Sequence, residues 1–195
     1  EEATVRRVTT KPLKSACARL RRVMSRAALL LFVASAFGCA SPTGIVPLGL
    51  GADSGPIDLD RFMGDWYVVA HIPTRPERNA WEALEQYQRR DDGDIDVRFS
   101  FCEGGFDGEP KVLEMRGWVT NPATNAQWHV RPFWPLALDY QVLELDPAYS
   151  QTVIGHPSGD YAWIMARRPD GVSEAEIEAI TARLAAQGYA VEKMR

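Results

Sequence analysis

The stretch MGDWYVVAH, Met63 to His71, joins a flexible backbone position to a large ring. Gly64 precedes Trp66 by two positions, and Trp66 opens an apolar run with period-two character. Such a run reads as a β-strand. A glycine just ahead of it lets the chain turn tightly and deliver an indole to one end of a sheet.

The pattern downstream repeats the strand signal. ALEQYQRR (83–90) reads as a second strand and enters the hairpin turn DDGD, Asp91 to Asp94. IDVRFSF (95–101) sets Ile95, Val97, Phe99 and Phe101 against Asp96, Arg98 and Ser100. EMRGWVT (114–120), QWHVR (127–131), YQVLELD (140–146), TVIGH (152–156) and YAWIMAR (161–167) follow with short connections. The period then changes. Ser173 and Glu176 form a capping box, Ile177, Ile180, Leu184 and Ala185 make a helical stripe, and Gly188 fits the C-terminal cap. YAVEKM (189–194) reads as a short final strand. The prediction is an all-β protein: an eight-stranded up-and-down antiparallel barrel with one C-terminal helix packed outside. Eight strands enclose a space that side chains nearly fill or that holds one small ligand.

Ahead of the domain, residues 24–38 carry a short basic start and an apolar stretch from Ala27 to Phe37. That stretch is shorter than the ~20 residues needed to span a bilayer and suits a secretory signal. It ends in Gly38-Cys39, which resembles the lipobox of bacterial lipoproteins. The resemblance implies cleavage before Cys39 and lipidation of its sulfur, with membrane attachment through that anchor. An ordinary cleavable signal with an incidental Cys39 is the simpler alternative. Residues 1–23 read as an upstream extension ahead of the signal start at Met24, and 39–56, rich in Gly and Pro, as a flexible tether. The domain is assigned to 57–195.

The 195 residues carry a net charge of −4, but residues 1–38 hold eight basic and two acidic side chains, leaving −10 for the remainder. An acidic body repels phosphate backbones, so nucleic acid is excluded as a natural partner.

Three motifs in order resemble the lipocalin family. GDW (64–66) matches its G-x-W motif, LELDPAY (143–149) its D-x-x-Y motif with Asp146 and Tyr149, and AWIMARRP (162–169) its arginine motif with Arg167. The stretches DLDRFMGDWYVVAHIPTRPER and RPFWP are most similar to bacterial outer-membrane lipoprotein lipocalins and to their animal relative apolipoprotein D. The resemblance implies a barrel floor in which Arg167 stacks on Trp66 behind Gly64. It also implies that the protein binds, stores or transports a small hydrophobic ligand, a fatty acid or lysophospholipid, at the outer membrane, facing periplasm or exterior.

Alternation nominates the lumen-facing residues: Val68 and Ala70 beside Trp66, Tyr87, Phe99, Phe101, Met115, Trp128, Val130, Gln141, Leu143 and Leu145, with Glu144 facing water. A packed core shows the same alternation, so a non-binding structural lipoprotein stays an alternative. RPFWPLAL (131–138) reads as a loop whose aromatics line the mouth, touch membrane or bury a dimer contact. A homodimer is left open. Chemistry-bearing patterns are sparse: no zinc spacing, nucleophile elbow or phosphate loop occurs, and no cofactor or metal is called for. Cys102 is the single cysteine of 57–195, so no intradomain disulfide forms. It should point away from the lumen. An enzyme that modifies or isomerises lipid on the same barrel is the alternative from another class.

Overall fold

The computed structural model describes residues 46–47 and 56–195. The signal, the upstream extension, Cys39 and most of the tether lie outside the described residues.

Eight antiparallel strands form the barrel: β1 Gly64–Ile72, β2 Ala80–Arg89, β3 Ile95–Glu103, β4 Glu109–Val119, β5 Gln127–Phe133, β6 Leu136–Leu145, β7 Gln151–Gly155 and β8 Ala162–Ala166. Each pairs with its sequence neighbour, and β8 returns to β1 to close the ring. The two-residue strand Val46–Pro47 lies against β6, opposite Leu145 and Glu144. A one-turn helix α1, Leu59–Phe62, precedes β1, and α2, Glu174–Ala186, follows β8.

Local chemistry explains the ends of these elements. Asp58 caps α1 by accepting the amides of Asp60 and Arg61. The β2–β3 turn closes with the Arg90 amide donating to Asp94 O, and Gly93 takes φ +90° there. The acidic run of this hairpin is neutralised by Arg90, which pairs with Asp92 and Asp96, and by Arg116, which pairs with Asp92 and Asp94. Ser173 and Glu176 form the capping box of α2, with the Ser173 amide donating to Glu176 Oε2 at 2.8 Å. At the other end Gly188, at φ +88°, occupies the left-handed position just past the cap Gln187.

Two bulges decide which residues of β1 and β6 face inward. In β1 the register shifts between Val68 and Ala70, and in β6 between Val142 and Glu144. A bulge places two consecutive side chains on one face and reverses the alternation beyond it. Val69 and Ala70, and Leu143 and Glu144, thus lie outside the barrel. There Ala70, Ile72, Val153 and Ile164 form one core with Ile180 and Leu184 of α2, and Ile177 packs on its edge. Both irregularities occur on the wall that α2 covers.

Several expectations are corrected. Ala70 faces the helix, because the β1 bulge shifts the phase after Val68. Glu144 does not face water: it is buried beneath α2, and Arg183 donates to it from Nε at 2.8 Å and Nη2 at 2.6 Å. Ala185 is exposed and takes no part in the stripe. Val191–Lys193 is a 3-10 turn, and only Arg195 pairs back, exchanging main-chain hydrogen bonds with His71. RPFWPLAL is the tip of the β5–β6 hairpin, whose turn holds a cis Trp134–Pro135 bond.

Candidate ligand-binding lumen

The floor is built by residues far apart in sequence. The turn at Gly64, with φ +97°, brings Trp66 beneath the barrel, where it is fully buried. The Arg167 guanidinium lies 3.9 Å over the Trp66 ring. It also donates to the main-chain oxygens of Asp65, Arg61, Phe62 and Tyr149. Trp66 Nε1 donates to Phe62 O at 2.8 Å, which holds α1 across the opening. Asp146 folds the β6–β7 turn by accepting the amides of Ala148, Ser150 and Gln151, and the Tyr149 hydroxyl accepts the Asp58 amide.

Above this floor the lower lumen is filled. Phe62, Trp66, Tyr87, Trp128 and Tyr140 form a chain of rings with centroids 5.1 to 6.4 Å apart. Trp128 belongs to this packing: it is buried, and its indole N–H donates to Asn125 O at 2.7 Å. A second set of inward apolar side chains lies higher. Phe99 and Phe101 are buried with ring centroids 5.2 Å apart, and Ala80 and Ala83 share their cluster. Val68 and Met115, both half-buried, pack against that cluster, and Val130 closes the core on β5. Five of the nine predicted lumen residues lie here; Tyr87 stands at the boundary with the filled part and Trp128 lies within it.

The other two are corrected. Gln141 and Leu143 do not face the lumen. Leu143 packs with the outer core under α2, and the inward positions of β6 are Tyr140, Val142 and Leu145. Alternation counted back from an outward Glu144 gave the wrong phase, since the bulge sets both Leu143 and Glu144 outward.

Sequence reasoning passed over a polar cluster in the lumen. Glu85, only 4% exposed, shares the inward face of β2 with Ala83 and Tyr87. Its Oε2 accepts the Tyr87 hydroxyl in a short contact and the Tyr140 hydroxyl at 3.1 Å, and the two tyrosine oxygens touch each other. Glu77 enters from the β1–β2 connection, is buried, and accepts the Thr74 amide at 2.8 Å. Burial pushes the Glu85 carboxyl up to about 8, and the nearby Glu77 adds to the rise. Burial also raises Glu77. His71, turned inward by the β1 bulge, is lowered to about 4 by burial and then by Arg195. The inward phase of Glu85 was readable from Tyr87 two positions on; His71 needed the bulge.

Cys102 is buried on β3, opposite Trp81 and Pro110, and is disulfide-bonded. Among the described residues no cluster of three or more His, Cys, Asp or Glu side chains is arranged to hold a metal ion. Among them, too, no helix is long and apolar enough to cross a membrane. Phe133 and Trp134, at the hairpin tip on the open end, are 65% and 80% exposed.

Comparison with known proteins agrees with this architecture. The family model described as a lipocalin-like domain matches residues 57–195. Outer membrane lipoprotein Blc of Escherichia coli K12 is 30% identical over 158 residues, covering 80% of this chain and 85% of that protein. Blc of Citrobacter freundii is 29% identical over 159 residues, with the same coverage. Temperature-induced lipocalin-1 of Arabidopsis thaliana is 28% identical over 147 residues, 71% of this chain and 77% of that one. In structure, lobster apocrustacyanin A1 superposes with a TM-score of 0.54 at 10% identity, covering 71% of this chain and 77% of that one. Insecticyanin from Manduca sexta superposes at 0.51 and 17% identity, covering 73% and 82%. With the domain matched along its whole length and the Trp66–Arg167 floor in place, the chain belongs to the lipocalin-like family.

Proposed function

We propose that this protein binds a small hydrophobic ligand in its barrel, a fatty acid or lysophospholipid, and stores or transports it at the bacterial outer membrane, to which a lipid on Cys39 tethers it. The observation that carries the reading is the upper lumen. Val68, Phe99, Phe101, Met115 and Val130 present an apolar wall above a sealed floor. At about 25 cal/mol per Å² of apolar surface, an acyl chain burying about 300 Å² gains on the order of 7 kcal/mol before entropic losses. The relatives named outer membrane lipoprotein support the location, and the Gly38-Cys39 junction supports the anchor. Binding of this kind needs no covalent step.

The test is titration of delipidated protein with palmitate and with lysophosphatidylcholine, followed by tryptophan fluorescence. Saturable one-to-one binding, abolished by Met115→Trp, is expected. A folded, lipid-free protein that responds to neither lipid would point to a filled barrel instead. Mass spectrometry of the mature protein for a lipidated N-terminal cysteine tests the anchor. The enzymatic alternative predicts turnover of lipid by the purified protein, whereas binding alone returns the lipid unchanged.

A further inference from the structure

We propose that the open end of the barrel is a lipid-contacting face, which seats on an anionic bilayer through exposed rings at its tips and the unpaired arginines Arg75 and Arg78 beside them. The inference rests on the reading that the protein works at a membrane, and it adds which face of the domain meets that membrane.

Strand direction defines the two ends. β1 starts at Gly64 beside the floor, so the β1–β2, β3–β4 and β5–β6 connections lie at the opposite end. Among the described residues, the large apolar side chains that stay exposed all lie toward this end. Trp81, at the start of β2, and Phe106, in the β3–β4 turn, meet edge to face with centroids 5.0 Å apart. Phe133, Trp134 and Leu136 form the β5–β6 tip. On β4, Val112 alternates outward, while Leu113, opposite Phe99 on the inward face, is 39% exposed at the mouth. These side chains come from separate elements spread over β2 to β6. Rings standing out around a rim match a deformable apolar layer that closes around each, and tryptophan settles at the head-group level of a bilayer.

Charge supplies the second, independent feature. Arg75 and Arg78, in the β1–β2 connection at the same end, are exposed and form no ion pair among the described residues. At the floor end the exposed arginines are matched: Arg89 with Asp60, Arg90 with Asp92 and Asp96, Arg168 with Asp170. Unmatched cations beside exposed rings suit anionic phosphate head groups. A second copy packed on this face about a two-fold axis would set the same arginines near one another, which disfavours that occupant.

The tether is long enough for this pose. Val46 pairs opposite Leu145, at the floor end of β6. The chain from Cys39 to Val46 makes seven steps, a reach of at most about 25 Å. β6, from Leu145 back to Leu136, climbs about 23 Å along the axis at the usual barrel tilt. A lipid on Cys39 can therefore lie in the same membrane that the rim touches, and a ligand leaving the mouth would enter lipid without crossing water.

The test uses the protein purified from the envelope and mixed with vesicles of phosphatidylethanolamine and phosphatidylglycerol. Trp134→Phe is measured alongside, so that subtraction isolates the emission of Trp134. That emission is expected to shift to shorter wavelength, to lose at least about half its intensity to lipids brominated on their acyl chains, and to be shielded from iodide. Arg75→Glu with Arg78→Glu is expected to reduce the bromine quenching severalfold, as is salt at about 0.5 M. Trp134 that keeps its aqueous emission and its iodide quenching on vesicles overturns the proposal and leaves the Cys39 anchor standing. A protein that leaves the vesicles alone overturns it as well. Shielding of Trp134 without vesicles, in a dimer seen by light scattering, gives the face to a second copy and overturns it too. Bromine quenching of Trp134 in a protein that takes up neither palmitate nor lysophosphatidylcholine upholds the lipid-contacting face while the lumen reading falls.

Discussion

Arg167 lies with its guanidinium 3.9 Å over the ring of Trp66 and binds four main-chain oxygens around it. One side chain thus ties β1, α1 and the β6–β7 turn into a floor. Only a planar fork with donors on several sides can do both jobs, so lysine is not an equivalent. Arg167→Lys is expected to cost about 1–3 kcal/mol. Trp66→Ala removes a fully buried indole and is expected to cost about 3–5 kcal/mol. Urea denaturation at neutral pH measures both.

Gly64 sits at φ +97°, and a Cβ there would lie 3.3 Å from Arg167 Nη1. Gly64→Ala combines backbone strain with pressure on the floor arginine. A loss of about 1–3 kcal/mol is expected, with no change in unfolding cooperativity. Thermal unfolding followed by circular dichroism decides it.

Glu144 and Arg183 join the outer barrel wall to α2 through a bidentate pair whose acid is buried. Removing the arginine leaves a buried carboxylate without its partner. Arg183→Met is expected to destabilise by about 3 kcal/mol or more, and Glu144→Gln combined with Arg183→Met by much less. Hydrogen exchange of the α2 amides should report the local loosening in the single variant.

Stability should fall as pH rises from about 6.5 to about 8. Glu85 is raised to about 8 in the folded protein, so it holds its proton where the unfolded chain has lost it. Folding then binds protons above the ordinary carboxyl range, and the stability slope with pH is negative up to about 8. His71 acts in the opposite sense between about 4 and 6.5, because the unfolded chain is protonated there and the folded protein is not. The two slopes oppose each other below about 6.5, and above it Glu85 prevails. Urea midpoints across this range should fall for the wild type and flatten for Glu85→Gln. A wild-type midpoint that rises from pH 6.5 to 8 would contradict the assignment.

Phe133 and Trp134 project from the β5–β6 turn with most of their surface in solvent. Phe133→Ser with Trp134→Ser is therefore expected to change stability by no more than about 0.5 kcal/mol each. Binding of an apolar dye to the surface should weaken in the double variant. A large loss of stability would mean that the tip is packed against something.

The sequence by itself determined the barrel and the helix from local signals: alternation in IDVRFSF and a capping box at Ser173. The glycine two positions ahead of Trp66 marked the ring of the floor, and the resemblance to lipocalins supplied Arg167 as its partner. Alternation also gave the inward phase where no bulge intervenes, as at Phe99, Phe101, Met115 and Val130. Tertiary structure alone decided the rest. Bulges at Val69 and Leu143 lie on the wall that α2 covers, and no residue there announces them. They turned Leu143 outward and His71 inward, and put Glu144 beneath the helix instead of in water. Closure of the barrel, in turn, brought Glu77, Glu85, Tyr140 and Trp163 together from four separate elements. Their pairing depends on which strands face each other across the lumen, and that is fixed only when β8 returns to β1.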